Sequence, residues 1–349
     1  MKIMTSPERI NAALKGEIPD RVPIAELSVD HKVIEALYPG LSYYAFIEQS
    51  GYYDAVCTYA GIVPPKINWV DKSKKIFQDK WGALQQFTEE AIPFVVPPVR
   101  IESESDLASY TPPDPDDPDI INTVREMVKR FKGKKALVFV GEGVFAPSQY
   151  LRGGLENLFI DYKLNPSLVK KLAKLVEEYQ VELYRSVIKE GIEIVMLGDD
   201  YAGNSGPFMS PADFERFILP GFRTIVREIK NAGAYCIKHT DGDIRKILDM
   251  ILETGVDCLG PLQETGGMTL AQIKQQYPDK VSVMGSVSVD LLIRGSTEEV
   301  RQATKKCIAE VSPGGRHILS SANTISSSVK PENLKMMINT ALECGRYSM

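Results

Sequence analysis

The segment Lys238-His239-Thr240-Asp241-Gly242-Asp243 sets an imidazole and a carboxylate two residues apart. The apolar run 234–237 precedes it and a helical pattern over 244–252 follows it. Side chains on a strand alternate between faces, so a strand ending here turns His239 and Asp241 to the same side. Three readings fit that pair. It could ligate a metal through an imidazole nitrogen and a carboxylate oxygen, with further ligands from Glu142, Asp199, Asp200 or Glu264. It could act as a general acid and base. Without any chemistry, His239 could rest neutral on a backbone partner while Asp241 caps the turn at Gly242 and Asp243. Asp199 and Asp200 are adjacent, so they point opposite ways: one can enter a site while the other caps a turn.

Such residues need elements to position them. Short runs rich in Val and Ile recur at 21–27, 53–59, 136–141, 193–198, 234–239, 257–262, 281–285 and 317–321. Most are apolar throughout, as in strands buried on both faces of a parallel sheet. Amphipathic helical patterns separate them, notably 166–189 with Leu168, Leu172, Leu175, Tyr179 and Leu183 on one face. Thr5-Ser6-Pro7-Glu8, Ser210-Pro211 and Ser296-Thr297-Glu298-Glu299 read as helix starts. Eight strands, each followed by helix, predict a (β/α)8 TIM barrel, with an open doubly wound sheet as the alternative. The stretch 66–100 breaks the alternation and reads as a β-hairpin insertion after the second strand. Pro-rich residues 112–118 form a stiff linker into a helix over 120–131. The chain is expected to be one domain spanning 1–349.

In such a barrel the active site lies at the C-terminal ends of the strands. The polar residues predicted there are Glu26, Asp30, His31, Glu142, Asp199, Asp200, His239, Asp241, Gln263, Glu264, Ser286 and Asn323. Of the three histidines, His31 and His317 read as structural.

The 349 residues are 44% hydrophobic and 25% charged, with a net charge of −5. The acidic balance and the lack of a basic patch interleaved with aromatics argue against a nucleic-acid partner. No apolar run reaches membrane-spanning length and no signal peptide is visible, so no membrane association and a cytoplasmic location are expected. Five cysteines without a C-x-x-C pattern agree with that compartment, and Cys57, Cys236 and Cys258 sit in apolar runs. Residues 312–316 lack a phosphate-loop pattern, and no G-x-S-x-G elbow occurs.

The chain resembles the uroporphyrinogen decarboxylase superfamily, which includes corrinoid-linked methyltransferases. The resemblance rests on Arg9-Ile10 with Asp20-Arg21-Val22-Pro23, residues 142–151, Asp161 with Asn165-Pro166, Gly198-Asp199-Asp200, Ser210-Pro211 with Phe214 and Pro220, His239 to Gly242, Gly285-Ser286 and Pro331-Glu332-Asn333. It implies the barrel fold. The decarboxylases carry an arginine-rich N-terminal motif that grips propionates; here Val22-Pro23-Ile24-Ala25-Glu26-Leu27 stands instead, which disfavours a porphyrinogen substrate. The coenzyme-M methyltransferases bind zinc through His-x-Cys and a distant Cys. His239 matches the histidine, Asp241 replaces the first cysteine, and the Ala322-Asn323 region stands in place of the second, a harder and oxygen-rich set.

The resemblance therefore implies an O-demethylase-like methyltransferase. It would move a methyl group from a small methoxylated or methylated donor to a corrinoid protein, with cobalamin carried on that separate partner and zinc assisting. The implied catalytic residues are His239, Asp241, Asp199, Asp200 and Glu142. His239 and Asp241 are the implied metal ligands, and Tyr150, Gln263, Ser286 and Asn323 the substrate-binding residues. A decarboxylase of a small acid or of a porphyrinogen, and a non-catalytic ligand-binding barrel, are the alternatives. The oligomeric state is open, a homo-oligomer included.

Overall fold

A capping box opens the first helix, Ser6–Lys15: the Thr5 hydroxyl accepts from the backbone of Glu8, whose carboxylate accepts from the backbone of Thr5. The same device starts Thr297–Val311 from Ser296. The helix over Pro166–Lys189 has the bounds its periodicity predicts. The computed structural model describes residues 3–87, 93–264 and 267–347.

Seven strands form one parallel sheet whose spatial order follows the sequence: Ala55–Thr58, Ala136–Gly141, Ile194–Leu197, Tyr235–Lys238, Cys258–Leu259, Ser282–Met284 and His317–Ile318. The sheet curls in TIM-like fashion. Alternate residues explain its two cores. Ala55, Cys57, Val138, Val140, Ile194, Met196, Ile237, Cys258, Met284 and Ile318 form an inner cluster, while Val56, Leu137, Phe139, Val195 and Leu197 pack outward against the helices. Ile10, Ala13 and Leu14 of the first helix join the inner cluster, and Ser282 Oγ donates to the Ala13 carbonyl. That helix plugs the end of the sheet opposite the strand C-termini.

The predicted strand at 21–27 is not a regular strand. Its residues instead sew the sheet edges together. Ala25 N–H donates to the Leu319 carbonyl, Leu319 N–H to the Pro23 carbonyl and Asp54 N–H to the Ile24 carbonyl. Buried Asp54 reinforces this seam. Its carboxylate accepts from Arg9, Arg21 and the Ile24 backbone. Pro23, which has no N–H, sits in the segment and interrupts a regular ladder.

The expected hairpin at 66–100 is larger than a hairpin. Asn68–Asp71, Ile76–Gln78, Leu84–Gln86 and Phe94–Val96 make a four-stranded antiparallel sheet; residues 88–92 of that stretch lie outside the described residues. Phe77 and Phe87 stack at 4.7 Å on it, with Trp69 edge-on to Phe77. The helix predicted over 244–252 is shorter, Leu248–Leu252, and a turn occupies 245–247, where the Asp243 carboxylate accepts from the Arg245 backbone and guanidinium. Four cysteines are buried and Cys344 is exposed. Among the described residues, no helix is long and apolar enough to cross a membrane.

Candidate functional site

The strand Ile194–Leu197 runs on through Gly198 into Asp199 and Asp200, and the two neighbours part company. Asp199 is fully buried and turns back on the preceding strand's loop. Its carboxylate accepts from Gly143 N–H and Phe145 N–H, each at 2.9 Å. A Cβ on Gly143 would lie 2.6 Å from that carboxylate, so the loop closes on it only with glycine there. Burial raises the Asp199 carboxyl above its ordinary value, opposed chiefly by the Lys238 charge. Asp200 points the other way, into solvent, and accepts from Asp241 N–H at 2.9 Å.

The neighbouring strand Tyr235–Lys238 delivers the next three residues. His239 Nδ1 lies 2.7 Å from the Pro261 carbonyl. A carbonyl only accepts, so Nδ1 carries the hydrogen and Nε2 keeps a free lone pair. Nε2 stands 3.8 Å from an Asp200 oxygen. Asp241 accepts from Asn323 Nδ2 at 2.7 Å through one oxygen, while its other, Oδ1, is buried without a partner. Burial pushes the Asp241 carboxyl up to about 6, with the Asp200 charge adding in the same direction. One ligand atom from each of Asp200, His239 and Asp241 falls within 4.8 Å of the others. Gly242, at φ +79°, then bends the chain away; a Cβ there would strike the Ala202 carbonyl.

Beneath this cluster Thr240 Oγ1 accepts from Tyr201 N–H at 2.9 Å. Buried Lys238 donates to the carbonyls of Asp199 and His239 and lies 3.9 Å over the Tyr201 ring. Burial pushes its ammonium down to about 8, opposed by Asp199. These bonds tie the ends of two strands into one rigid support.

Glu142, at the end of Ala136–Gly141, belongs to a separate group. Tyr150 OH donates to its Oε1 at 2.7 Å, and Oε2 is buried without a partner. Burial pushes the Glu142 carboxyl up to about 8, opposed by Lys80 and assisted by Asp199. Lys80 comes from the turn of the antiparallel sheet between Ile76–Gln78 and Leu84–Gln86, and donates to the Gly61 carbonyl.

The remaining predicted residues serve the backbone. Buried Glu26 accepts from Ser321 N–H and Oγ, and burial pushes its carboxyl up to about 8. Ser286 Oγ donates to the Leu262 carbonyl. Glu264 accepts from Leu270 N–H at a helix start, and Gln263 is half-buried beside it. Asp30 caps the helix His31–Leu37, whose first residue His31 is exposed. His317 bonds Ser312 and the Gly285 carbonyl, and burial pushes its imidazole down to about 4. Lys80 and Lys238 were not predicted. Lys238 adjoins His239, and a lysine closing an apolar strand was a readable signal; Lys80, in an alternating polar stretch, gave none.

Residues 78–344 match the family model for uroporphyrinogen decarboxylase (URO-D). A methylated-thiol–coenzyme M methyltransferase of Methanosarcina mazei is 25% identical over 227 residues, 65% of this chain and 58% of that relative. The match thus spans less than two thirds of that relative's length. A uroporphyrinogen decarboxylase of Trichodesmium erythraeum is 24% identical over 259 residues, 72% of this chain and 70% of the relative. A solved methyltransferase structure from Methanosarcina mazei superposes with a TM-score of 0.75 at 17% identity, covering 97% of this chain and 99% of that one, which shows the shared fold.

Proposed function

The chain belongs to the uroporphyrinogen decarboxylase family, and within it we propose that it is a methyltransferase moving a methyl group from a small methoxylated or methylated donor to a corrinoid protein. The whole chain is read as one barrel domain, its seam closed through residues 23–25. A methyltransferase among its relatives supports the reaction class. The observation that carries the proposal is the convergence of Asp200, His239 and Asp241 at the ends of two adjacent strands.

The donor set fits a divalent ion such as zinc. It offers one imidazole nitrogen with its other nitrogen anchored, two carboxylates, and a buried carboxylate oxygen without a partner. Three protein ligands leave room for a substrate atom. When bound, the ion would supply Lewis acidity that eases departure of the demethylated oxygen or nitrogen. The residues themselves hold the geometry. The Pro261 carbonyl fixes the His239 tautomer, Asn323 orients Asp241, and the Asp241 backbone positions Asp200. Asp199 supports the loop that carries Glu142. Burial favours the protonated form of Glu142 beside Tyr150, and Gln263 and Ser286 lie on loops at the same end of the sheet.

The test mixes the purified chain with a reduced corrinoid protein, zinc, and a panel of methoxyaromatics and methylamines. Formation of methylcobalamin that depends on His239 is the expected result; formation that survives His239→Ala removes the proposed role of the cluster. A second reading, decarboxylation of a small acid, draws on the protonated Glu142, and release of CO2 without any corrinoid present would select it.

A further inference from the structure

The turn that brings Lys80 to Glu142 is built with care. Asp79 accepts from Ala83 N–H and from Gln85 Nε2, and Tyr110 OH donates to the Trp81 carbonyl at 2.9 Å. The turn is thereby fixed on the molecule before anything binds. Lys80 Nζ lies 5.7 Å from the Trp81 ring centre and 5.2 Å from that of Tyr179, which meet edge to face at 4.7 Å. Gly61 accepts one of its three N–H groups.

The polar atoms gathered here share one property. Trp81 Nε1, Tyr179 OH and Glu142 Oε2 are all buried and none has a hydrogen-bond partner. An indole nitrogen can only donate. A phenol can donate, and so can a protonated carboxylic acid. Burial favours the protonated form of Glu142, and Tyr150 already occupies its Oε1, so in that form Oε2 offers the hydrogen. Burial lowers the Lys80 ammonium, opposed by the carboxyl groups of Glu142, Asp79 and Asp117, and among the described residues no direct ion pair joins Lys80 to Glu142. Asp79, next to Lys80 in the turn, is already occupied by Ala83 and Gln85, and Asp117, whose charge also acts on Lys80, accepts from Asp119 N–H. Buried donors without acceptors cost free energy unless a ligand supplies the acceptor.

We propose that Lys80, Trp81, Tyr179 and Glu142 form a seat for a carboxylate, and that the methyl donor is a small molecule carrying one. A carboxylate has two oxygens and about four lone-pair directions, which matches a cation and three neutral donors. The substrate class rests on the methyltransferase reading, whereas the seat itself rests on the donors alone.

The experiment keeps the two apart by measuring binding without corrinoid or turnover. The full-length chain is titrated with 4-methoxybenzoate against 4-methoxybenzamide, and with methoxyacetate against methoxyacetamide, by calorimetry and by melting shift. At least one acid is expected to bind and its amide to bind about tenfold more weakly or not at all, the scale of a lost charge-assisted bond. Lys80→Met is expected to weaken the acid about tenfold, with Lys80→Arg recovering most of it. Trp81→Phe, which keeps a ring and loses the N–H, is expected to weaken it a few-fold. Lys170→Met, which removes an exposed cation from the outer helix Pro166–Lys189, is expected to bind the acid as the parent does, which separates this seat from a general loss of positive charge. Equal binding of acid and amide, full binding by Lys80→Met, or no binding of either acid overturns the proposal. Failure of methyl transfer with intact acid binding overturns the proposed function and leaves the seat standing.

Discussion

The two polar groups at the strand ends differ in what they lack. The Asp200–His239–Asp241 cluster is made of acceptors: two carboxylates and an imidazole lone pair, with one carboxylate oxygen unpartnered. The Lys80–Trp81–Glu142–Tyr179 group is made of donors, three of its atoms unpartnered. One calls for a cation and the other for an anion. Their construction differs as well. The acceptor cluster stands on strand ends braced by Lys238 and Thr240. The donor group is completed by a sheet inserted between the first two parallel strands. On the proposed reading, a scaffold common to the family holds the reacting centre while the insertion selects what is brought to it.

The sharpest way to break this contrast is to remove the imidazole. His239→Ala is expected to lower methyl transfer about a thousandfold and leave the midpoint of urea unfolding nearly unchanged. An equal loss in the acid-binding titration would show that the two groups act as one. The paired aspartates come next. Asp199→Asn strips the negative partner from buried Lys238 and is expected to cost about 3 kcal/mol of stability in urea unfolding. Asp200→Asn, on an exposed side chain, is expected to stay within about 0.5 kcal/mol while weakening zinc binding in a dye competition. The reverse ranking would exchange their assigned roles.

A different effect concerns pH. The Glu26 carboxyl, ordinarily near 4.5, is pushed by burial up to about 8. Between those values the unfolded chain releases a proton that the folded chain keeps, so stability is full below pH 4.5 and falls as pH rises through 8. Thermal melts from pH 5 to 9 should show a decline, of which Glu26→Gln removes on the order of 4 kcal/mol. Glu142 contributes a decline of the same sign, so a slope surviving in the Glu26 variant belongs there. The smallest change expected is in Asn323→Ala, which frees Asp241 to rotate and should weaken zinc about tenfold. No change would mean that Asp241 is held by its surroundings without that amide.

Much of this was legible where local chemistry governs. Helix starts at Thr5, Ser210 and Ser296 follow from hydroxyl caps, and the strand Ala136–Gly141 from an unbroken apolar run. Strand periodicity anticipated the proximity of His239 and Asp241, although the strand ends at Lys238 ahead of both, and adjacency anticipated that Asp199 and Asp200 would point opposite ways. What stayed hidden depends on distant partners. Asp200 rather than Asp199 was selected by the backbone of Asp241 and the loop at Gly143. The four-stranded insertion was underread because its strands are three or four residues long. Lys80 became notable only once Glu142 and Tyr179 were packed around it.

The seam at residues 23–25 carries a consequence for biosynthesis. Leu319 grips Pro23 and Ala25 across about 300 residues of intervening chain. A ribosome releases the early segment long before its clasp exists, so the nascent curl must wait with two unpaired margins until nearly the last helix emerges. Premature termination ahead of Leu319 would leave those margins bare, and such fragments would be the ones that chaperones retain.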